Sequence, residues 1–341
     1  MRFYHLLCSL ALVVATALLA ACGDREVAVR TLAGYSMGTS YSVKLVTTVA
    51  EAERLDGTVR SRLDAVNQSM STYLPRSDVS RFNDAGVGDW VDVSPLTTEV
   101  VALALMIAEA SDGAFDPTIA PLVDLWGFGP QPRPNQAPSQ PQIEQLLDQV
   151  GWSAIDLDET GNRLRKQAPR ELDLSGIAKG FAVDQVADAL AQAGIEAYLV
   201  EVGGELRFAG TKPGGEPWRV GIETPESGAR SAYRILEVTE GAMATSGDYR
   251  NYYEEAGVRY SHTLDPSNGR PIRHSLVSVT VLADDCALSD AYATAMLVKG
   301  ASLARQLAQQ QGLAVMLIER SGDGFQSWQS DRFAELYGSV S

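Results

Sequence analysis

Apolar and polar positions along the chain change period several times, and each change marks an element. Leu55, Val59, Leu63 and Val66 recur at helical spacing and predict a helix over 51–69. Leu96, Val100, Val101, Leu103, Leu105 and Met106 predict a more buried helix over 96–110. Phe181, Val183, Val186, Ala187 and Leu190 predict an amphipathic helix over 178–193, stopped by Gly194. A second apolar helix is expected over 286–299 and a brief one over 142–150. Strand-like alternation runs from Tyr41 to Leu45, and short strand-type runs fall at 196–202, 205–210, 217–223, 232–239, 275–283 and 313–318. Residues 152–167 suit a hairpin around Glu159-Thr160-Gly161-Asn162, and the prolines from Pro130 to Pro141 mark a loop or flap. Strands come in runs with a few helices between them, without strict β-α-β alternation. That order predicts an α+β fold with mixed or antiparallel sheets and flanking helices.

The N-terminus follows different rules. A positive charge at Arg2, an apolar run from Leu6 to Ala20 and then Leu19-Ala20-Ala21-Cys22 have the layout of a secretory signal ending in a lipobox. The run is too short for a comfortable membrane span, which needs about 20 residues. Residues 1–21 are therefore read as a lipoprotein signal peptide, Cys22 as the lipidation site and 22–30 as a lipidated tether, and the remainder is long enough for one large domain or two intimate ones. The alternative is an ordinary signal peptide with an incidental cysteine.

Composition narrows the function. The formal net charge is −15, and Arg2 leaves with the signal, so the remaining surface is more acidic still. Nucleic-acid binding needs basic stripes, and electrostatic adhesion to anionic lipid needs basic clusters, so both are disfavoured. Membrane attachment would rest on acyl chains alone. With Cys8 in the signal and Cys22 lipidated, only Cys286 remains, so no intramolecular disulfide forms. His262 and His274 are the histidines outside the signal, too few for a zinc site built on several His.

Five segments are denser in Gly, Asp, Ser and Thr than folding requires. They are Met37-Gly38-Thr39; Met70-Ser71-Thr72-Tyr73; Gly113-Ala114-Phe115-Asp116-Pro117-Thr118 running on to Trp126-Gly127-Phe128-Gly129; Asp173-Leu174-Ser175-Gly176-Ile177-Ala178-Lys179-Gly180; and a composite of Thr245-Ser246-Gly247-Asp248-Tyr249-Arg250, Ser261-His262-Thr263-Leu264-Asp265-Pro266 and Asp290 to Thr294. In the fourth, Ser175-Gly176 opens a helix with Lys179 in its first turn. A helix N-terminus attracts anions, and a lysine there adds a charge for phosphate oxygens. The same residues also describe a capped helix with a solvent-facing lysine. In the fifth, Asp290 and Thr294 lie four apart and share a helix face, offering hard oxygen ligands that suit Mg²⁺; a Thr bonding back to its own helix is the alternative. His262 in a polar turn suits a general base, although a lone His is often structural. Tyr73, Phe115, Trp126 and Phe128 could stack on a flat heterocycle or belong to the core. No Gly-x-Gly-x-x-Gly after a strand and no Walker loop occurs, so a nucleotide would not be held by either of those devices.

Taken in order, Met-Gly-Thr, Ser-Thr-Tyr-x-Pro, Gly-Ala-Phe-Asp-Pro-Thr, Asp-Leu-Ser-Gly-Ile-Ala-Lys-Gly, Ser-Gly-Asp-Tyr-Arg and Ser-His-Thr-Leu-Asp-Pro resemble the ApbE family of FAD:protein FMN transferases, collinearly from about residue 31 to about 330. The resemblance implies an ApbE-like fold, with 31–338 as one compact, two-lobed catalytic domain, and an FAD pocket lined by Met37, Tyr73, Ala114, Phe115, Asp116, Asp173, Lys179 and Leu264, with Lys179 toward the diphosphate. It implies Mg²⁺ on the Gly176 carbonyl, Asp290 and Thr294, and His262 as the catalytic base with Asp248 in the adjoining polar motif. The implied reaction is attack by a Thr or Ser hydroxyl of an acceptor protein on the FMN-side phosphorus of FAD, releasing AMP. Acceptors in the family are flavoprotein subunits of membrane redox complexes, of the sodium-translocating NADH:quinone reductase or Rnf type. The implied location is the periplasmic side of a bacterial membrane, anchored through Cys22. Two alternatives share the site: a periplasmic FAD pyrophosphatase yielding FMN and AMP, and a non-catalytic FAD-binding lipoprotein. Storage needs neither metal nor base, so Asp290, Thr294 and His262 argue against the latter.

Overall fold

The computed structural model describes residues 26–134, 136–226, 231–255 and 257–339; the signal and Cys22 lie outside the described residues. In chain order, β1 (Ala28–Ser36) and β2 (Thr39–Thr47) form a hairpin, followed by α1 (Val49–Met70), α2 (Asp78–Asp84), β3 (Trp90–Asp92), α3 (Pro95–Ala110), α4 (Ala120–Leu125) and α5 (Gln140–Leu147). Next come the hairpin β4 (Ile155–Asp158) and β5 (Arg163–Lys166), α6 (Ala178–Gln192), and strands β6 (Tyr198–Val202), β7 (Glu205–Ala209), β8 (Trp218–Glu223), β9 (Ala232–Val238) and β10 (Glu240–Gly247). The rest comprises β11 (Tyr252–Glu255), β12 (Val258–Ser261), β13 (Leu264–Asp265), β14 (Arg270–Pro271), β15 (Leu276–Ala283), α7 (Cys286–Gln310), β16 (Ala314–Ser321), β17 (Gly324–Gln329) and α8 (Asp331–Tyr337).

The frame is an eight-stranded sheet in the order β1-β2-β6-β7-β10-β15-β16-β17. Every neighbouring pair in it is antiparallel, which settles the expected mixed or antiparallel sheet as antiparallel. One face carries α1, α6 and α7, with α3 packed on α1 and α7 behind them, and the cluster buries Leu55, Val59, Leu63, Ile107, Val183 and Val186 of these helices together with Val43, Val200, Val279 and Leu317 of the sheet. The other face is covered by the β8–β9 hairpin and α8, with Trp218, Phe208 and Phe333 at the centre. Strand β16 contributes to both clusters, which is why its sequence reads as an unbroken apolar run. A third cluster joins Leu122 and Trp126 of the α4 region to Ile143, Tyr253 and Leu264.

Local chemistry sets the ends of these elements. Thr48 caps α1 by accepting the Glu51 N–H, and Ser94 caps α3 with Pro95 at its first position. Met37 and Gly38 both have positive φ, 51° and 73°, and close the β1–β2 hairpin with a two-residue turn that matches strand twist. The helices expected over 51–69, 96–110 and 178–193 are present with small shifts at the ends. The helix read as 286–299 reaches Gln310, but Gly300 sits at φ 74° and breaks it near the expected end. Two readings need correction. β1 begins at Ala28 and pairs Ala28 with Thr47, so the tether assigned to 22–30 runs three residues into the folded domain. The sequence also gave no strand at 240–247, yet β10 lies inside the main sheet between β7 and β15.

Candidate functional site

A cleft of about 1100 Å³ opens where the main sheet meets the N-terminal ends of α6 and α7 and the loops around residues 70–74, 111–118 and 247–266. Met37, Tyr73, Ala114, Phe115, Asp116, Asp173, Gly176, Lys179, His262, Leu264, Asp290 and Thr294 all line it. Residues spread over more than 250 positions thus meet in one cavity; of the candidates within the described residues, Asp248 and Trp126 are missing from its walls, Trp126 being buried in the third apolar cluster.

The inner end is ionic. Lys179, in the first turn of α6, extends to Glu205 at the start of β7, with Nζ 2.8 Å from Oε1, and stands 3.7 Å from Asp290 Oδ2. Asp290 also accepts the Gly180 N–H at 3.1 Å, so the helix N-terminus expected to take an anion holds a protein carboxylate. Burial works to lower the Lys179 pKa, but the Asp290 and Glu205 carboxylates outweigh it and hold the ammonium above its ordinary value. Burial, assisted by the Asp290 charge and opposed by Lys179, pushes the Glu205 carboxyl above the usual carboxylate range. Sequence reasoning missed Glu205 altogether; its one local signal is the Gly203-Gly204 turn before it, where φ is 64° and 106°.

Next to this pair lie the oxygens read as metal ligands. Asp290 and Thr294 are one turn apart on α7, and the Thr294 hydroxyl shares a 3.1 Å hydrogen bond with Ser246 of β10. A Cβ on Gly176 would stand 3.4 Å from Thr294 Oγ1 and 3.2 Å from Phe115 Cε2. The Gly176 backbone is therefore close to Thr294, and a larger residue there is tight without being forbidden. A carboxylate, a hydroxyl and a backbone carbonyl are hard donors and suit Mg²⁺ better than a softer metal. Among the described residues no group of three or more His, Cys, Asp or Glu could hold a metal. Remaining ligand positions of an ion at Asp290 would thus fall to water and diphosphate oxygens, as is usual for Mg²⁺.

The middle of the cleft is built from two linked loops. Asp116 accepts from the Thr118 N–H (2.8 Å) and hydroxyl (2.6 Å) through Oδ1 and from the Trp152 N–H (3.1 Å) through Oδ2. Its carboxylate braces the loop that presents Ala114 and Phe115, and burial raises its pKa against those hydrogen bonds. Asp173 accepts the Ser175 N–H, while its own N–H donates to the Pro117 carbonyl, joining the loop to the approach of α6. Tyr73 is 65 % exposed at the cleft and Leu264 is buried in its wall.

His262 directly follows β12. The Asn251 carbonyl accepts both its backbone N–H and its Nδ1–H, each at 3.0 Å. A carbonyl only accepts, so the proton sits on Nδ1 and Nε2 is left as a free base. Burial first, then the Lys179 charge, lowers the pKa against the pull of Asn251, which favours the neutral ring. Phe128 meets the ring edge-on at 6.3 Å. The hairpin that delivers His262 is stiffened by Tyr253 stacked on Tyr260, with Arg133 of the proline-rich loop 3.7 Å over Tyr253. Asp248 is placed differently: its carboxylate is largely buried in the field of Arg259, Arg320 and His274, with Oδ1 unpartnered among the described residues. His274, read as surface, is exposed.

Fold and cleft together define an α+β protein with a large, oxygen-rich ligand site at the edge of an antiparallel sheet, equipped with a lysine, a hard-oxygen cluster and a neutral histidine. The ApbE family model matches residues 37–317. The chain is 42% identical over 305 residues to the FAD:protein FMN transferase of Vibrio cholerae, spanning 89% of this chain and 91% of that protein. It is 39% identical over 310 residues to the FAD:protein FMN transferase of Escherichia coli K12, spanning 89% and 88%. Among solved structures, the flavin transferase ApbE of Vibrio cholerae superposes with a TM-score of 0.84 at 39% identity, covering 91% of this chain and all of the other. The apo flavinyl transferase ApbE of Pseudomonas stutzeri gives 0.84 at 40% identity, covering 92% and 98%. The chain belongs to the ApbE family.

Proposed function

We propose that this chain is an FAD:protein FMN transferase that joins FMN to a Thr or Ser hydroxyl of an acceptor protein and releases AMP. The observation that carries the reading is the convergence of Lys179, the Asp290–Thr294 oxygens and His262 in one cleft large enough for a dinucleotide. The flavin would lie along Met37, Tyr73, Phe115 and Leu264, and the diphosphate near Lys179. Mg²⁺, where bound at Asp290, Thr294 and the Gly176 carbonyl, would offset diphosphate charge.

The residues then divide the work. The acceptor hydroxyl oxygen forms a bond to the FMN-side phosphorus, and the bond from that phosphorus to the bridging oxygen breaks. The electron pair leaves with AMP, and the hydroxyl proton passes to His262 Nε2. The 3.0 Å bond from Nδ1 to Asn251 fixes the tautomer that this requires. Asp248 lies outside the cleft walls, so its part would be to support the loop after β10 and not to touch substrate. The same cleft could admit water in place of the acceptor, giving FMN and AMP; the His-bearing turn at an open cleft suits either nucleophile.

For location, the lipobox at Cys22 supports an enzyme tethered on the periplasmic face, where flavoprotein subunits of membrane redox complexes would be its acceptors. Tethering confines both partners to one surface and raises their encounter rate. The test incubates the chain from Gly23 onward with FAD, Mg²⁺ and a small acceptor domain bearing an accessible Thr, and records the intact mass of the acceptor. A mass gain of one FMN that requires Mg²⁺ and is lost in His262→Ala, with FAD binding retained, is expected. Free FMN and AMP beside an unmodified acceptor would favour the hydrolase, and intact FAD alone would leave a binding protein.

A further inference from the structure

Two carboxylates compete for one ammonium at the inner end of the cleft, and the competition is uneven. Lys179 Nζ is 2.8 Å from Glu205 but 3.7 Å from Asp290. Both carboxylate side chains are nearly inaccessible, at 6% and 4%, so neither is screened by bulk water. Glu205 Oε2 has no hydrogen-bond partner among the described residues, which leaves Oε1 and the ammonium as its main satisfaction. Its place is fixed by the preceding turn. At Gly203, with φ at +64°, a Cβ would come within 3.3 Å of both Glu205 Oε2 and Lys179 Cδ and within 3.0 Å of Thr39 Cγ2. The bare backbone at Gly203 makes the space in which the lysine stem and the glutamate meet.

We propose that Glu205 is a positioning residue that draws the Lys179 ammonium away from Asp290 and so keeps Asp290 available to a divalent cation. The inference rests on the reading of Asp290 as a metal ligand. Without the Glu205 charge, the nearest anionic partner of Lys179 is Asp290, whose Oδ2 already accepts the Gly180 N–H. A closed Lys179–Asp290 pair would compete directly with a cation. Glu205 would act on the metal only through Lys179, as outer partners of metal ligands commonly do.

The experiment measures Mn²⁺ binding to the FAD-loaded full chain, without acceptor, from the electron paramagnetic resonance signal of free Mn²⁺. Glu205→Gln is expected to weaken Mn²⁺ binding by about 10–100-fold, the range for lost outer-shell partners. FAD affinity without metal, read from flavin fluorescence quenching, should not weaken, because a negative charge near the diphosphate has been removed. The double variant Lys179→Met with Glu205→Gln should return Mn²⁺ affinity to the parent range, since no cation is left to occupy Asp290. If Glu205→Gln does not fold, Lys179→Met alone serves: it should bind Mn²⁺ at least as tightly as the parent, and weaker binding would overturn the proposal. Parent-like Mn²⁺ affinity in Glu205→Gln, or no recovery in the double variant, would also overturn it while loss in Asp290→Ala left the metal reading standing. Unchanged Mn²⁺ binding in Asp290→Ala would overturn the metal reading and this proposal with it.

Discussion

Gly180 is where two helices and the ionic end of the cleft depend on one missing methyl group. It lies in the first turn of α6, where helix propensity favours Ala over Gly by at most the ~1 kcal/mol of a helix interior. A Cβ there would stand 2.4 Å from the Cys286 carbonyl oxygen, 2.7 Å from its carbon and 2.9 Å from Ala287 Cα. These are backbone atoms at the start of α7, and they cannot swing aside as a side chain would. They are pinned by Asp184, whose carboxylate accepts the Cys286 N–H at 2.9 Å and the Ala287 N–H at 2.8 Å. Relief of a contact that short requires the helices to part by roughly 1 Å, given an optimal separation near 3.5–4.0 Å. Overpacking of this kind costs about 1–3 kcal/mol, and the backbone partners and strained Asp184 bonds put the cost at or above the upper end. Gly180→Ala is therefore expected to lose about 2 kcal/mol net, a fall in Tm of about 3 °C at ~2.1 cal/mol/K per residue. The same movement carries the Gly180 N–H away from Asp290, so transfer activity should fall with stability. Urea unfolding followed by tryptophan fluorescence measures the first and acceptor mass the second. A variant as stable as the parent, or more so, would mean that propensity outweighs the clash and that the close approach of α6 to α7 is not what the glycine is for.

Asp184 makes a pH-dependent contribution. Burial pushes its carboxyl from 3.8 up to about 6, against the Ala287 and Cys286 N–H bonds and the Arg207 charge. The native state then holds more protons than the unfolded chain between about pH 4 and 6, so this contribution to stability falls as pH rises through that window, by about 3 kcal/mol in all. Asp184→Asn should flatten that part of the curve of urea midpoint against pH, and an unchanged slope would refute the assignment. Trp126 is 1% exposed and its Nε1–H donates to the Gly269 carbonyl at 2.8 Å. Trp126→Phe should cost about 1–3 kcal/mol by stranding that carbonyl, as measured by denaturation. Because the His262 pKa is lowered from 6.5, the acid limb of kcat/KM for transfer should lie below pH 6.5; a limb well above it would exclude His262 as the base.

Much of the helical layer was legible because its stripes contrast with polar neighbours. Leu55, Val59, Leu63 and Val66 on α1 and the Gly194 stop after α6 needed no tertiary information. β10 lacked that contrast: Ala242 packs on the helical face and Met243 on the other, so both of its faces are buried, and its end, Thr245-Ser246-Gly247, has turn-like composition. Its pairing with β7 and β15 supplies what its own sequence does not. The first residues of β1 were hidden in the same way, because its burial alternates only between partial and full exposure. The site was legible as short motifs in order, and nearly all of the residues those motifs offered for FAD, metal and catalysis line the cleft. Asp248 was grouped with His262 by motif adjacency, and the chain turn after Gly247 sends its carboxylate toward Arg259 and away from the cleft walls. Glu205 could not be found, since nothing near it in sequence says that Lys179, 26 positions earlier, comes to meet it.

That missed residue changes the electrostatic reading of the site. A lysine in the first turn of a helix suggests a free cation waiting for phosphate, but here it is already paired. Counting Lys179 against Glu205 and Asp290, the inner end of the cleft has no uncompensated positive charge before any ligand arrives, and it carries excess negative charge wherever Glu205 is ionised. A diphosphate entering alone would meet that excess at short range in a poorly screened pocket, where unit charges interact by several kcal/mol. A divalent cation entering alone would find one carboxylate, one hydroxyl and a carbonyl, few ligands for an ion that favours six. Each therefore supplies what the other lacks, and their binding should be positively coupled, with FAD tightening Mg²⁺ by the same factor as Mg²⁺ tightens FAD. FAD affinity that did not change with Mg²⁺ would contradict this balance of charges. On the proposed function, Lys179 would be less a phosphate trap than the counter-ion that lets two buried carboxylates stand close together until substrate and metal arrive as a pair.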